Sequence, residues 1–405
     1  MKIAIIGGGA AGFFAAIRTK EIYPEAEVVI YEKSSKLLAK VKVSGGGRCN
    51  VTNGCKTIKE LADGYPRGGK GLKKAFEIFN NQSTIKWFEQ RGVPIYIQDD
   101  NRAFPTSNDS QSIIDCLLKE ADRLGVIIKL NSGVQGLKAA ANQWELLFKE
   151  QDNPVLVDKV IIASGGAAQL KSFNWLAALG HKIETPLPSL FTFNMPNESI
   201  AKLMGLVVPK VLVSIQGTKL KSTGALLITH WGMSGPAVLK LSAFGARILA
   251  EKSYNFSVQV NWANQPNYER VMQNLTELAK NSPKKQLGNI KPYDLPERLW
   301  VFLLDKVGFS KAKLWGELGK KGLNKLTNIL TNDVYCIKGK TTFKEEFVTC
   351  GGVSLDSIDM KTMQSKVCKN LYFAGEIMDI DGITGGYNFQ AAWTTGYIAG
   401  ELRCP

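Results

Sequence analysis

The 405-residue chain is short of the residues that build metal centres and disulfide frameworks. It holds only two histidines, His181 and His230, and none of its seven cysteines falls in a Cys-x-x-Cys pair. Those counts argue against a zinc site and a stapled scaffold, and an odd set of thiols suits a reducing compartment. No apolar run reaches the roughly 18 residues that span a bilayer, so no membrane partner is expected. Lys2 ahead of an apolar stretch has the outline of a signal peptide, but cleavage there would destroy the glycine turn that follows. A cytoplasmic location is therefore the expectation. Acidic residues are also in deficit, 36 against 51 basic ones, which leaves a net charge of +15.

What the chain does hold begins at its N-terminus. Ile3-Ala4-Ile5-Ile6 reads as a buried parallel strand, Gly7-Gly8-Gly9-Ala10-Ala11-Gly12 as a turn, and Phe13 to Tyr23 as the helix after it. Val28 to Tyr31 is a second strand, ended by Glu32 twenty positions beyond Gly12. Gly7 permits the tight turn, Gly9 lets backbone approach a pyrophosphate, and Gly12 lets helix and strand pack closely. The helix N-terminus then offers free N–H groups to phosphate, and Glu32 can accept from a ribose hydroxyl. The spacing predicts a dinucleotide-binding βαβ unit; the plainer alternative is an ordinary βαβ unit with a glycine-rich turn.

Further along, Ser110 to Leu124 has helical periodicity, Val126 to Leu130 reads as a strand, and shorter strands follow near Val134 and from Trp144 to Phe148. Val157 to Ala163 is a buried strand ending at Gly165-Gly166, and Leu371 to Gly375 is another, ahead of a helix over Asn388 to Leu402. After Pro186-Leu187-Pro188 the runs become short and alternating, then helical and basic, with a β-like stretch near Thr341–Val348. The expected fold is α/β. A Rossmann-like domain of residues 1–188 and 347–405 is interrupted by a mainly β subdomain (189–264 and 331–346) and a helical, basic subdomain (265–330).

Residues 280–325 carry eleven basic side chains against four acidic ones, almost half of the net charge. Tyr293, Trp300, Phe302, Phe309 and Trp315 are interleaved with them. Such a segment suits a polyanion such as RNA; equally, it suits a solvated helical face whose aromatics are core.

Only one dinucleotide fingerprint is present, so a single resident nucleotide is expected, with NAD(P)H as a transient electron donor. FAD is favoured over NAD because later segments are built to continue along an extended molecule. Ser44-Gly45-Gly46-Gly47-Arg48-Cys49-Asn50 is a loop open to close backbone approach, where Arg48 can bind phosphate or a substrate carbonyl. Near the C-terminus come Gly375-Glu376, Asp379, Gly385-Gly386-Tyr387-Asn388-Phe389 and a helix whose N-terminus can stabilise charge on a reduced flavin. His230 follows a buried strand at a glycine turn and is a proton-transfer candidate, or a histidine bonded to the turn. Cys49 is a candidate proton donor or a small residue against the cofactor, and Tyr387 a candidate acid or ring-stacking residue. His181 reads as structural.

These strings resemble the BaiN/RdsA-type NAD(P)/FAD-dependent oxidoreductases. The resemblance rests on Ser44 to Asn53, Phe104-Pro105, Thr229-His230-Trp231-Gly232-Met233-Ser234-Gly235-Pro236-Ala237, Gly351-Gly352-Val353, Thr362 to Lys366 and the Gly375–Gln390 block. It implies FAD held between the glycine-rich N-terminus and the C-terminal block, with contacts from Ala11, Glu32, Gly47, Arg48, the Val134 backbone, Glu376 and Phe389. With the loop readings, the expected cofactor set also takes in Gly7, Gly9, Gly12, Lys33, Lys40, Ser44, Gly45, Gly46, Asn50, Ala163, Gly165, Gly375, Asp379, Gly385, Gly386, Tyr387 and Asn388. The resemblance implies reduction of a polarised C=C: a uridine of ribosomal RNA, engaged through residues 280–325, or a small-molecule enone such as a bile-acid intermediate. Amine oxidation is a third activity, and a non-catalytic flavin-carrying RNA-binding factor an alternative of another class. The chain departs from the family pattern at Leu38-Ala39, usually Gly-Arg, and at Ala167–Lys171, usually a glycine-rich turn.

Overall fold

Strands rich in Ile and Val, buried on both faces, form a parallel sheet only when helices cover them, and the N-terminal half of the chain meets that condition. A computed structural model describes residues 1–148, 154–341 and 348–403. In it β1 (Lys2–Ile6), β2 (Glu27–Tyr31), β3 (Ile127–Lys129), β4 (Lys159–Ile162) and β5 (Leu371–Phe373) lie in the order β3-β2-β1-β4-β5, and every pairing is parallel. Order reverses between β1 and β4, the switch point of a doubly wound sheet, so ligand-binding loops belong at the carboxyl ends of those strands.

The helices α1 (Ala10–Ile22), α2 (Gln111–Arg123) and α3 (Tyr387–Gly400) serve this sheet in different ways. Apolar positions in α2 fall on one face, with Ile113, Ile114, Leu117 and Ala121 buried, the pattern of a surface helix. α1 and α3 are apolar nearly all round and pack on each other. Their backbones approach because Gly396 and Gly400 lack side chains: a Cβ there would lie 2.5 Å from the Ala11 carbonyl oxygen and 2.6 Å from that of Ala15. Phe14 and Trp393 fill the rest of the seam, ring centroids 4.7 Å apart.

The single strand expected over Val157–Ala163 is two. Val155–Val157 completes a three-stranded antiparallel ribbon with Val134–Ala140 and Gln143–Phe148, and the chain then turns into β4. Asp158 makes the break, its carboxylate accepting from the Lys2 N–H at 2.6 Å and the Gln143 amide at 2.9 Å. The expected β-like stretch near Thr341–Val348, with the boundary at 346/347, falls almost wholly outside the described residues.

Residues 1–189 with the C-terminal segment form one compact unit and residues 190–341 another. The second is a seven-stranded sheet paired antiparallel throughout, in the order Asp333–Lys338, Asn255–Asn261, Val207–Ile215, Lys221–Thr229, Gly232–Ser234, Thr192–Asn194, Lys340–Thr341. Helices Pro236–Glu251, Tyr268–Asn281, Glu297–Lys306 and Gly319–Thr331 join it. The β-rich and helical segments share one apolar core, into which Trp300 and Trp315 are completely buried.

Candidate functional site

At the carboxyl end of β1 the chain turns at Gly7, whose φ of +113° suits glycine. A Cβ there would lie 2.4 Å from the Ala163 carbonyl oxygen, and one at Gly12 would lie 2.0 Å from the Gly7 oxygen. Gly7 and Gly12 are therefore demanded by packing. Gly9 is different: a Cβ built on it meets no atom within 4 Å. It begins α1, which has neither a side-chain cap nor an acid in its first turn.

Loops from three strands gather around this turn. Ala163, buried after β4, donates its N–H to the Ile6 oxygen, and Ala374, after β5, donates to the Ile162 oxygen. Gly375 comes so near that a Cβ on it would lie 2.9 Å from Cβ of Ala11. Glu32 follows β2, its carboxylate accepting from the N–H groups of Gly8 at 2.8 Å and Ser34 at 2.9 Å. Those bonds aim the carboxylate and leave it acceptor capacity for a hydroxyl. Lys33 is exposed beside Gly133, and Val134 opens its strand opposite Phe148.

Gly45, Gly46 and Gly47 form a tight turn with φ of +59°, +69° and +85°, and Ser44 anchors it through Oγ to the Val41 oxygen at 2.9 Å. Arg48 holds its guanidinium 4.2 Å above the Phe104 ring and donates to the Gly45 oxygen. Asn50, with its amide turned to satisfy its neighbours, donates to the Thr52 and Ala103 oxygens and accepts from the Gly386 N–H. Asn53 donates to the Gly385 oxygen at 3.0 Å. This loop is thereby tied to the start of α3, where Asn388 bonds both the N–H and the oxygen of Gly382 and Phe389 stacks on Trp393. Glu376 pairs with Lys40 and accepts from the Thr349 N–H at 3.1 Å, while Asp379 accepts from the Gly351 N–H at 2.8 Å. Leu38 and Ala39, where the chain departs from the family pattern, lead into a one-turn helix that carries Lys40.

An extended dinucleotide fits these residues. α1 and α3 both begin without a side-chain cap, and a Cβ at Gly9, Gly46, Gly47 or Gly165 would meet no protein atom within 4 Å. The glycine turn, the Gly45–Gly47 turn and the start of α3 thus leave unfilled space beside loops tied to one another by hydrogen bonds.

The proton-transfer candidates differ in their surroundings. Cys49 is completely buried, and burial pushes its thiol up to about 12, surroundings that disfavour it as a proton donor. Tyr387, the other candidate acid or stacking residue, is held within the protein. Its hydroxyl lies 3.4 Å from Cys55 Sγ, burial raises its pKa well above the ordinary phenol value, and its ring is wedged against Gly64 and Tyr65. His230 lies in the second unit, exposed on the turn between Lys221–Thr229 and Gly232–Ser234 with its ring edge-on to Trp231.

One constellation has no signature in the sequence. Arg67 pairs with Asp381, whose side chain is completely buried, and Ser189 donates to Asp381 Oδ2 at 2.6 Å. Burial raises the Asp381 carboxyl, and the Arg67 guanidinium opposes that shift. These residues are 314 positions apart, and no spacing rule connects them.

Residues 1–402 match the model of the HI0933-like protein Rossmann domain. The chain belongs to that family. The chain is similar to a ribosomal RNA dihydrouridine synthase of Haemophilus influenzae, 28% identical over 97% of this chain and 96% of that protein. A 3-dehydro-bile acid delta(4,6)-reductase of Clostridium scindens is 26% identical over 99% and 98% respectively. In fold the chain is similar to the 3-ketosteroid delta1-dehydrogenase of Sterolibacterium denitrificans, with a TM-score of 0.51 at 12% identity over 98% of each chain. Among the described residues no helix is long and apolar enough to cross a membrane, and no group of three or more His, Cys, Asp or Glu is placed to hold a metal.

Proposed function

We propose that this chain is an FAD-dependent oxidoreductase that uses NAD(P)H to reduce a polarised C=C, and that its substrate is a uridine of ribosomal RNA, converted to dihydrouridine. The observation that carries the flavin assignment is the connected set of uncapped backbone at the sheet's switch point. When bound, FAD supplies two-electron hydride chemistry that no side chain provides. The N–H groups opening α1 hold phosphate, Glu32 accepts from ribose, and Arg48 adds a cation beside the Gly45–Gly47 turn. The N-terminus of α3 brings a positive dipole end to the C-terminal loop, where it favours negative charge. Lys40 and Glu376 hold Thr349 and the Gly375 loop in place.

The RNA assignment is supported by the basic surface of residues 280–325 and by relatives bearing that name. A bile-acid-like enone is the second reading, supported by the Clostridium scindens relative; such a substrate has no use for the basic surface. Six described cysteines are free thiols, in keeping with a cytoplasmic setting. The deciding experiment is mass spectrometry of ribosomal RNA nucleosides from a strain lacking the gene. Loss of one dihydrouridine, restored by the wild-type gene, is expected. Unchanged nucleosides alongside NAD(P)H-dependent reduction of a steroid enone by the purified yellow protein would transfer the assignment to the second reading.

A further inference from the structure

The basic segment is not the continuous helical face that its periodicity predicts. Between helices Tyr268–Asn281 and Glu297–Lys306, and again ahead of Gly319–Thr331, the chain runs in turns and bends, and these two loops pair with each other. Gln286 and Leu314 form an antiparallel bridge. Leu287 N–H donates to the Lys313 oxygen at 2.8 Å, Trp315 N–H to the Lys285 oxygen at 2.9 Å, and Gly316 N–H to the Pro283 oxygen at 2.9 Å. Two tryptophans fasten this ribbon from below. The Trp300 indole N–H donates to the Leu287 oxygen at 2.6 Å, and Trp315 stacks on Trp300 with planes 8° apart.

The paired loops, tied by these hydrogen bonds, carry Lys284, Lys285, Lys311 and Lys313, and Lys320 and Lys321 open the helix that follows. All except the half-buried Lys313 are exposed. Within residues 283–288 and 311–321 the one acid is Glu317, and its carboxylate accepts from the Leu314 N–H at 3.2 Å. Exposed cations with so few acids in the same loops give a positive field that a polyanion relieves.

Which polyanion is decided by the aromatics. Surfaces for single strands stack bases on exposed rings, but here Trp300 and Trp315 are completely buried, and Tyr293, Phe302 and Phe309 are half-buried against the same core, so no ring of the segment is fully exposed. A duplex is held instead by shape and by its phosphates. We propose that the lysine ribbon docks the phosphodiester backbone of helical RNA, without reading bases. This rests on the RNA reading above and narrows it to a stem flanking the modified site.

The test measures binding of the FAD-loaded protein, by fluorescence anisotropy over a salt series, to an rRNA-derived stem and to oligouridine of equal phosphate number. The stem should bind more tightly and weaken steeply with salt, because each phosphate neutralised releases counterion. Replacing Lys284, Lys285, Lys320 and Lys321 together by Glu should weaken the stem about tenfold or more and flatten the salt slope. FAD content and thermal melting should stay at parental values, and the corresponding Gln variant should show a smaller loss in the same direction. Parental binding by the Glu variant, preference of the parent for oligouridine, or equal affinity for anionic lipid vesicles would each overturn the proposal. If dihydrouridine is lost on gene deletion yet restored by the Glu variant, the ribbon assignment fails and the substrate reading stands. If the stem binds through the ribbon and rRNA nucleosides are unchanged on deletion, the reverse holds.

Discussion

A side chain at Gly9 would enter space that no protein atom occupies within 4 Å, whereas one at Gly12 would lie 2.0 Å from the Gly7 oxygen. Gly9→Val should therefore fold with a near-parental melting temperature yet be isolated without flavin, because its branches occupy the volume a pyrophosphate needs. Gly12→Val should fail to accumulate as folded protein. Flavin absorbance per polypeptide together with a thermal melt separates the two outcomes; normal flavin content in Gly9→Val would defeat the phosphate-turn assignment. His181 supplies a pH prediction. It is buried, with Nε2 2.8 Å from Ser365 Oγ and its ring edge-on to Phe373, and burial lowers its pKa below the ordinary value. The unfolded chain then binds this proton more readily than the native one. Its contribution to stability is complete above the unfolded value of about 6.5 and is lost as pH falls from there toward the depressed native value. Urea unfolding at pH 7.5 and pH 5.5 should show a smaller drop in His181→Gln than in the parent.

At the scale of elements, the seam between α1 and α3 and the pair joining Arg67 to the loop before α3 set the geometry of the candidate site. Gly396→Leu would drive a side chain into the Ala11 carbonyl and should destabilise by about 3 kcal/mol or more, since packed interiors do not absorb added volume. Lowered melting temperature together with weakened flavin retention is expected, because Ala11 lies in the first turn of α1. Arg67→Met leaves the Asp381 carboxylate buried without its cation and should destabilise by about 3–5 kcal/mol, less the relief gained when that carboxyl takes up a proton. Arg67→Met/Asp381→Leu should recover much of that loss in a denaturant titration. A single variant as stable as the parent would show that the ion pair is not holding the loop.

For the whole molecule, the charge of +15 and its concentration in residues 280–325 separate two kinds of measurement. Reduction of the flavin by NAD(P)H without substrate involves no polyanion and should be slow, weakly saturating and little affected by moderate salt. Turnover on rRNA should fall steeply over the same range, in kcat/KM more than in kcat, because long-range attraction acts on encounter. Parallel salt profiles would count against RNA as the substrate. Flavin reduced by amines and by no nicotinamide would reverse the direction of electron flow.

The sequence alone determined the α/β class, the βαβ unit with its glycine turn, and strands such as Ile3–Ile6 and Leu371–Phe373. Each of these is written in a short window, where apolar period, glycine spacing and a terminal acid have local causes. Helices were legible for the same reason, with Gln111–Arg123 falling within a residue of its expected span. Tertiary structure decided what depends on partners remote in the chain. Asp158 splits an apolar run because Lys2 and Gln143 reach it, and Cys49 is buried completely, which no neighbour in sequence announces. Arg67 and Asp381 find each other only in the folded unit. Periodicity reports which face of a segment is apolar, but not that two lysine-bearing loops will pair over buried tryptophans. That pairing is fixed by backbone hydrogen bonds, to which side-chain patterns are blind.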